Sequence, residues 1–198
     1  MTRLIRGLAL GIAMLGFTSG VQAQVLTYFA NLDGPSESPP NASPGIGTAQ
    51  VDYDPAAHTM RVQASFSGLT GTTTAAHIHA ATATPGTGTA GVATQTPSFS
   101  GFPLGVTAGS MDTTFDLTLA SSWNAAYITA NGGTPATAEA AFASALAGGR
   151  AYFNIHSTTF GGGEIRGFLT VPEPGSLALA GVGALGAVRA MVRRRRQG

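Results

Sequence analysis

From Thr59 to Phe66 the chain alternates without a break. Met60, Val62, Ala64 and Phe66 fall on one side, and Thr59, Arg61, Gln63 and Ser65 on the other. A period of two belongs to a strand with one dry and one wet face, and it is incompatible with an amphipathic helix. Thr48–Tyr53 repeats the pattern through Ala49, Val51 and Tyr53, and Asp54-Pro55-Ala56-Ala57-His58 between the two runs is a turn. The pair predicts a β-hairpin, running on to Leu69. Further short strands are predicted over Val25–Leu32, Ala76–Ala81, Gly91–Thr96, Met111–Leu119, Ala151–His156 and Glu164–Thr170, with a proline-rich loop across Ser36–Gly45. Two helices interrupt them. Ser121 or Ser122 would cap Trp123–Thr129, and Thr137 would cap Ala138–Ala147, which stops at Gly148-Gly149. Many short strands with one or two short helices predict a mainly β domain, an antiparallel sandwich or open barrel.

The two ends read differently. Met1–Ala23 has a basic start at Arg3 and Arg6, an uncharged run over Gly7–Phe17, and small residues at Val21-Gln22-Ala23. This is the layout of a signal peptide, with signal peptidase expected to cut before Gln24. The far end has an apolar stretch, Leu177–Val192, followed by Arg193-Arg194-Arg195-Arg196. As a transmembrane helix it is about 24 Å long at 1.5 Å per residue, slightly short of the hydrocarbon core, with Arg189 near enough to the basic end to snorkel. The arginine cluster stays cytoplasmic, so the preceding chain lies outside the inner membrane. Val171-Pro172-Glu173-Pro174, then the apolar helix, then the arginines, resembles a PEP-CTERM sorting signal over Val171–Gly198. That resemblance implies an inner-membrane precursor, recognition of the tail by an exosortase, release to the cell surface or extracellular matrix, and a Gram-negative source that makes extracellular polysaccharide.

Between these signals, residues 24–170 make one domain. Seven of the ten arginines lie in the signals, leaving Arg61, Arg150 and Arg166 against eight acidic residues and a formal charge of −5. An acidic domain without lysine is unsuited to nucleic acid or an anionic membrane. There is no cysteine, which excludes disulfides, thiol catalysis and Cys-ligated metal or iron–sulfur sites.

Ala76-His77-Ile78-His79 after Ser67-Gly68-Leu69, and Tyr152-Phe153-Asn154-Ile155-His156 leading to Gly163-Glu164-Ile165-Arg166-Gly167, resemble the two signature blocks of the CHRD domain. The likeness runs from about Tyr28 to Leu169 and implies an extracellular antiparallel β-sandwich, similar to superoxide dismutase or an immunoglobulin domain. Ala80-Ala81 stands where that family usually has Gly-Pro, and Trp123–Ala147 is longer than its usual short helix. The family implies no catalytic residues.

Residues two apart on a strand share a face, so His77 and His79 oppose Ile78, while Tyr152, Asn154 and His156 oppose Phe153 and Ile155. With neighbouring strands, His77, His79, His156 and Glu164 would cluster. Imidazoles at i, i+2 with a third from another strand resemble the copper arrangement of Cu/Zn superoxide dismutase, and suit copper or zinc. That enzyme uses more histidines than this domain offers, since only His58 remains, in a turn. The plainer expectation is structural: the imidazoles bond backbone or Glu164, and Glu164 with Arg166 is a cross-strand charge pair.

Catalytic motifs are otherwise missing. There is no Gly-x-Ser-x-Gly or His-Glu-x-x-His, and Gly161-Gly162-Gly163 lacks the lysine of a phosphate loop and suits a tight turn. Asp52 and Asp54 share a face as glycosidase carboxylates do, but Pro55 places them at a solvated hairpin end. Trp123, Tyr127 and Tyr152 are rings of the kind that stack on sugars, though isolated aromatics belong by default in a core. The expectation is a non-enzymatic surface or matrix protein that requires no cofactor and binds extracellular polysaccharide or another surface protein, with a copper or zinc site at His77, His79 and His156 as the alternative.

Overall fold

The computed structural model describes residues 24–171. The expected signal peptide, the Pro172-Glu173-Pro174 motif and the expected transmembrane helix over Leu177–Val192 lie outside these residues. Among the described residues no helix is long and apolar enough to cross a membrane.

The domain is mainly β, as the alternation requires. Its strands are β1 (Leu26–Asp33), β2 (Ile46–Asp54), β3 (Thr59–Ser67), β4 (Thr73–Ala80), β5 (Gly109–Asp116), β6 (Ala151–Ser157) and β7 (Ile165–Phe168). They form one antiparallel sheet in the order β4-β6-β7-β1-β2-β3-β5. The predicted hairpin is present, from Asp54↔Thr59 to Ile46↔Ser67, ending two residues before the expected Leu69.

The expectation of two stacked sheets is therefore corrected. β1 pairs with β2 on one side and with β7 on the other, so the sheet is continuous, and it curls because twist accumulates over seven strands. The curl wraps an apolar core that includes Tyr28, Val51, Met60, Phe153 and Ile165. Phe99 bridges the open side, tilted against Phe115 of β5 at 5.1 Å and stacked on Phe153 of β6 at 5.9 Å.

Phe99 is delivered by the segment that covers the free edge of β4. Ala93 N–H donates to Ile78 O, and Phe99 N–H to Ala76 O. Hydroxyls complete the cover: Ile78 N–H donates to Thr94 Oγ1 and Ala76 N–H to Ser98 Oγ. An edge sealed by an irregular loop cannot recruit another strand. This also corrects the strand expected over Gly91–Thr96. Its backbone makes only isolated bridges, Val92 to His79 and Thr94 to Trp123.

Both helices start at other residues than expected. α1 (Ala125–Ala130) is capped by Asn124, whose side chain accepts from Ala126 N–H, while Ser122 Oγ is committed to Asp116 O. α2 (Pro135–Ala147) is capped by Thr134, with Thr137 as the third residue of a capping box. Proline at the first helical position extends α2 backward, because its missing N–H is an orphan there anyway.

Gly167 marks the tightest packing. A Cβ there would lie 2.0 Å from Asn31 O, so β7 runs against β1 only because the residue is glycine.

Candidate metal centre

The site is built by β4 and β6. His77 pairs with Asn154, His79 with Tyr152 and Ala75 with His156, so one face carries His77, His79, Tyr152, Asn154 and His156. This face is largely covered, with His156 the half-buried member. Loops over 34–45, 84–99 and 157–163 cover it, and His77 and His79 keep only 7% and 9% of their surface exposed.

Each imidazole is oriented by a backbone carbonyl. Nδ1 of His77 lies 3.2 Å from Pro97 O, Nδ1 of His79 lies 2.8 Å from Ala90 O, and Nδ1 of His156 lies 3.0 Å from Gly161 O. A carbonyl oxygen only accepts, so each Nδ1 carries the proton and each Nε2 keeps its lone pair. Ligand atoms of the three residues come within 4.8 Å of one another. Nε2 of His77 and Nε2 of His156 face each other at 2.9 Å, and Nε2 of His79 is buried without a partner.

Electrostatics keep the rings neutral. Burial, with the neighbouring His79 and His156, pulls His77 down to about 3, against the carbonyl of Pro97. Burial takes His79 down to about 4, opposed by the Ala90 carbonyl, and lowers His156 as well. At neutral pH the cluster offers three uncharged acceptors and no proton to separate them. Such a set fits a cation with N-donor preference, copper or zinc.

A second polar group abuts the first. Tyr152 stacks on His79 at 4.7 Å with 5° between planes, and the Arg166 guanidinium lies 4.8 Å over the Tyr152 ring. Arg166 donates to Ser36 O and Gly88 O and sits 3.8 Å from Glu37. Glu37 Oε1 and Asn154 Oδ1 are buried without partners. Burial pushes the Glu37 carboxyl up to about 7, opposed by Arg166 and by the Ser38 backbone N–H. Gly163, at φ +134°, leaves the room these side chains fill, since a Cβ there would meet Glu37 Oε1 at 2.6 Å.

Glu164 does not join the histidines. It is fully buried at the start of β7 and accepts from Ser43 Oγ at 2.6 Å and from the backbone N–H groups of Thr70 and Gly71. Burial raises its pKa, but these bonds and one from Ser157 outweigh that and hold it low. The expected Glu164–Arg166 charge pair is replaced by Glu37–Arg166.

The other candidates resolve plainly. Asp54 caps the hairpin turn, accepting from Ala56 and Ala57 N–H, while Asp52 accepts from Thr27 and Gln50. His58 is apart from the cluster, its Nδ1 3.0 Å from Glu139 of α2. Trp123, Tyr127 and Tyr152 are buried. Sequence reasoning missed Glu37 and the three carbonyls. Glu37 sits in a proline-rich loop with no pattern, and carbonyl positions carry no residue-type signal.

Fold and site together define a class: a curled antiparallel β module with a buried histidine face. The chain belongs to the CHRD domain family, whose model matches residues 28–169. A PEP-CTERM protein-sorting motif matches residues 170–196 and implies handling by an exosortase during export. No curated protein and no solved structure matches the chain.

Proposed function

We propose that this protein is exported, held at the inner membrane until exosortase processing, and delivered to the cell surface or matrix, where its CHRD module acts by binding rather than by catalysis. The binding centre is one copper or zinc ion held by Nε2 of His77, His79 and His156. The observation that carries this reading is the pairing of three backbone carbonyls with three Nδ1 atoms, which aims lone pairs inward with nothing to receive them. Histidines that ligate a metal usually donate their other ring N–H to a carbonyl or carboxylate in this way, which fixes the tautomer and the ring's orientation.

Three imidazoles on one ion at about 2.0–2.1 Å each sit roughly 3–4 Å apart. His77 and His156 are already at 2.9 Å, so His79 closes the set with a small side-chain movement. The ion would supply a positive charge that relieves the opposed lone pairs. The protein's residues hold it and deny it competing protons.

Calorimetric titration of the full chain in detergent with Cu(II) and Zn(II), against a His77→Ala/His79→Ala variant, tests the reading. One ion bound per chain, lost in the variant, is expected. Absence of binding, or equal binding by the variant, leaves the histidines structural.

A further inference from the structure

The outer face of β1, β2, β3 and β5 is built differently from the histidine face and is open to solvent. Its residues follow from the register: Phe29 pairs with Gln50 and Gln50 with Gln63, then Thr48 with Ser65 and Ile46 with Ser67. Two grooves of about 460 and 370 Å³ lie on these rows and share Thr48 and Ser65, which makes one trough along β2 and β3. From Gln50 to Ile46 the trough runs four residues, about 14 Å at roughly 3.4 Å each.

The charged groups at the rim of the trough are engaged by protein partners. Arg61 pairs with Asp112 at 2.6 Å, and both oxygens of Asp52 accept from Gln50 Nε2 at 3.0 Å. What remains along the floor is amide and hydroxyl, with Oε1 of Gln50 and of Gln63 accepting from no protein group among the described residues. One end carries Phe29, a ring 43% exposed on a strand whose inward neighbours are buried.

We infer that this trough binds a neutral glycan chain. Amide side chains both donate and accept, as sugar hydroxyls do, and the flat C–H face of a pyranose packs on an exposed aromatic ring. A polyanion would find no lysine and no unpaired arginine here. A protein partner would want a larger apolar centre than Phe29 and Ile46 provide. The trough is longer than one sugar ring, so the ligand is an oligomer lying along the strands. This inference shares the binding reading of the module but not its metal centre.

The test is affinity electrophoresis of the full chain, in a detergent that carries no sugar, through native gels containing hydroxyethylcellulose, mixed-linkage β-glucan, galactomannan, dextran or alginate. At least one neutral polymer should retard the wild type. Phe29→Ala and Gln50→Ala/Gln63→Ala should each weaken that retardation by about tenfold. Chelator should leave it unchanged, which separates this site from the metal centre. Retardation by alginate alone, by no polymer, or equally in both groove variants overturns the inference. So does a concentration-dependent dimer that Phe29→Ala abolishes, since the face would then belong to a second copy.

Discussion

Nε2 of His77 and Nε2 of His156 stand 2.9 Å apart, each on a ring whose Nδ1 is already given to a backbone carbonyl. Two lone pairs at that distance repel unless a proton or a cation lies between them. Burial disfavours the proton, and the acid response of the metal-free domain follows from that conflict.

Without metal, the cluster makes the domain acid-sensitive. His77 and His79 titrate near 3 and 4 when folded, and near 6.5 when unfolded. Between these values the unfolded chain binds more protons, so stability falls as pH drops from about 6.5 toward 4. Thermal melting in chelator across pH 7.5 to 4 should show the fall, and His77→Gln/His79→Gln should flatten it. A flat wild-type profile contradicts the placement of these rings.

Glu37 works in the opposite sense. Its folded value of about 7 exceeds the unfolded 4.5, so its contribution is full below about 4.5 and is lost as pH rises through 7. Two lowered imidazoles outweigh one raised carboxyl between pH 4.5 and 6.5, so the net acid loss stands. Glu37→Gln should melt higher than wild type at pH 8, with the difference shrinking as pH falls and gone below about 4.5. A lower melting point at pH 8 would show that the charge on Glu37 is needed beside Arg166.

Glu164 ties two loops to β7 through Ser43, Thr70 and Gly71. Glu164→Gln turns one acceptor into a donor facing N–H groups, and should destabilise by about 2–3 kcal/mol in urea melts. Because Glu164 is held low by these bonds, its contribution is present above pH 4.5 and fades as pH falls below. A loss under 0.5 kcal/mol would mean that the loops hold without it.

Gly167→Ala should be worse than a usual surface change, because its Cβ would overlap Asn31 O. Separation of β7 from β1 opens the sheet at its middle, so a loss of about 3 kcal/mol or more is expected. Wild-type hydrogen-exchange protection at Phe29, Thr170 and Arg166 in this variant would refute the close approach.

Much of this architecture is legible in the residues. The Thr59–Phe66 alternation specifies β3 nearly to the residue, and the spacing of His77 and His79 places both on one face. The Gly163–Gly167 block is legible as a motif, but its reasons are not. Gly163 makes room for Glu37, Arg166 reaches back to Ser36, and Gly167 yields to Asn31, all over 126 residues or more of chain. Local pattern cannot report such partners. It also fails at Gly91–Thr96, which looks like a strand but spends its hydrogen bonds on the edge of β4, partly through the Thr94 hydroxyl. Whether a polar strand face meets water or loops is likewise a tertiary matter, and here the loops win over β4 and β6.

The most direct measurement is X-ray absorption on the full chain after copper or zinc loading and exhaustive dialysis. One ion per chain with three imidazole nitrogens at about 2.0–2.1 Å is expected, falling to two in His79→Ala. An ion that dialyses away, or one whose nitrogen count is the same in His79→Ala, would contradict it.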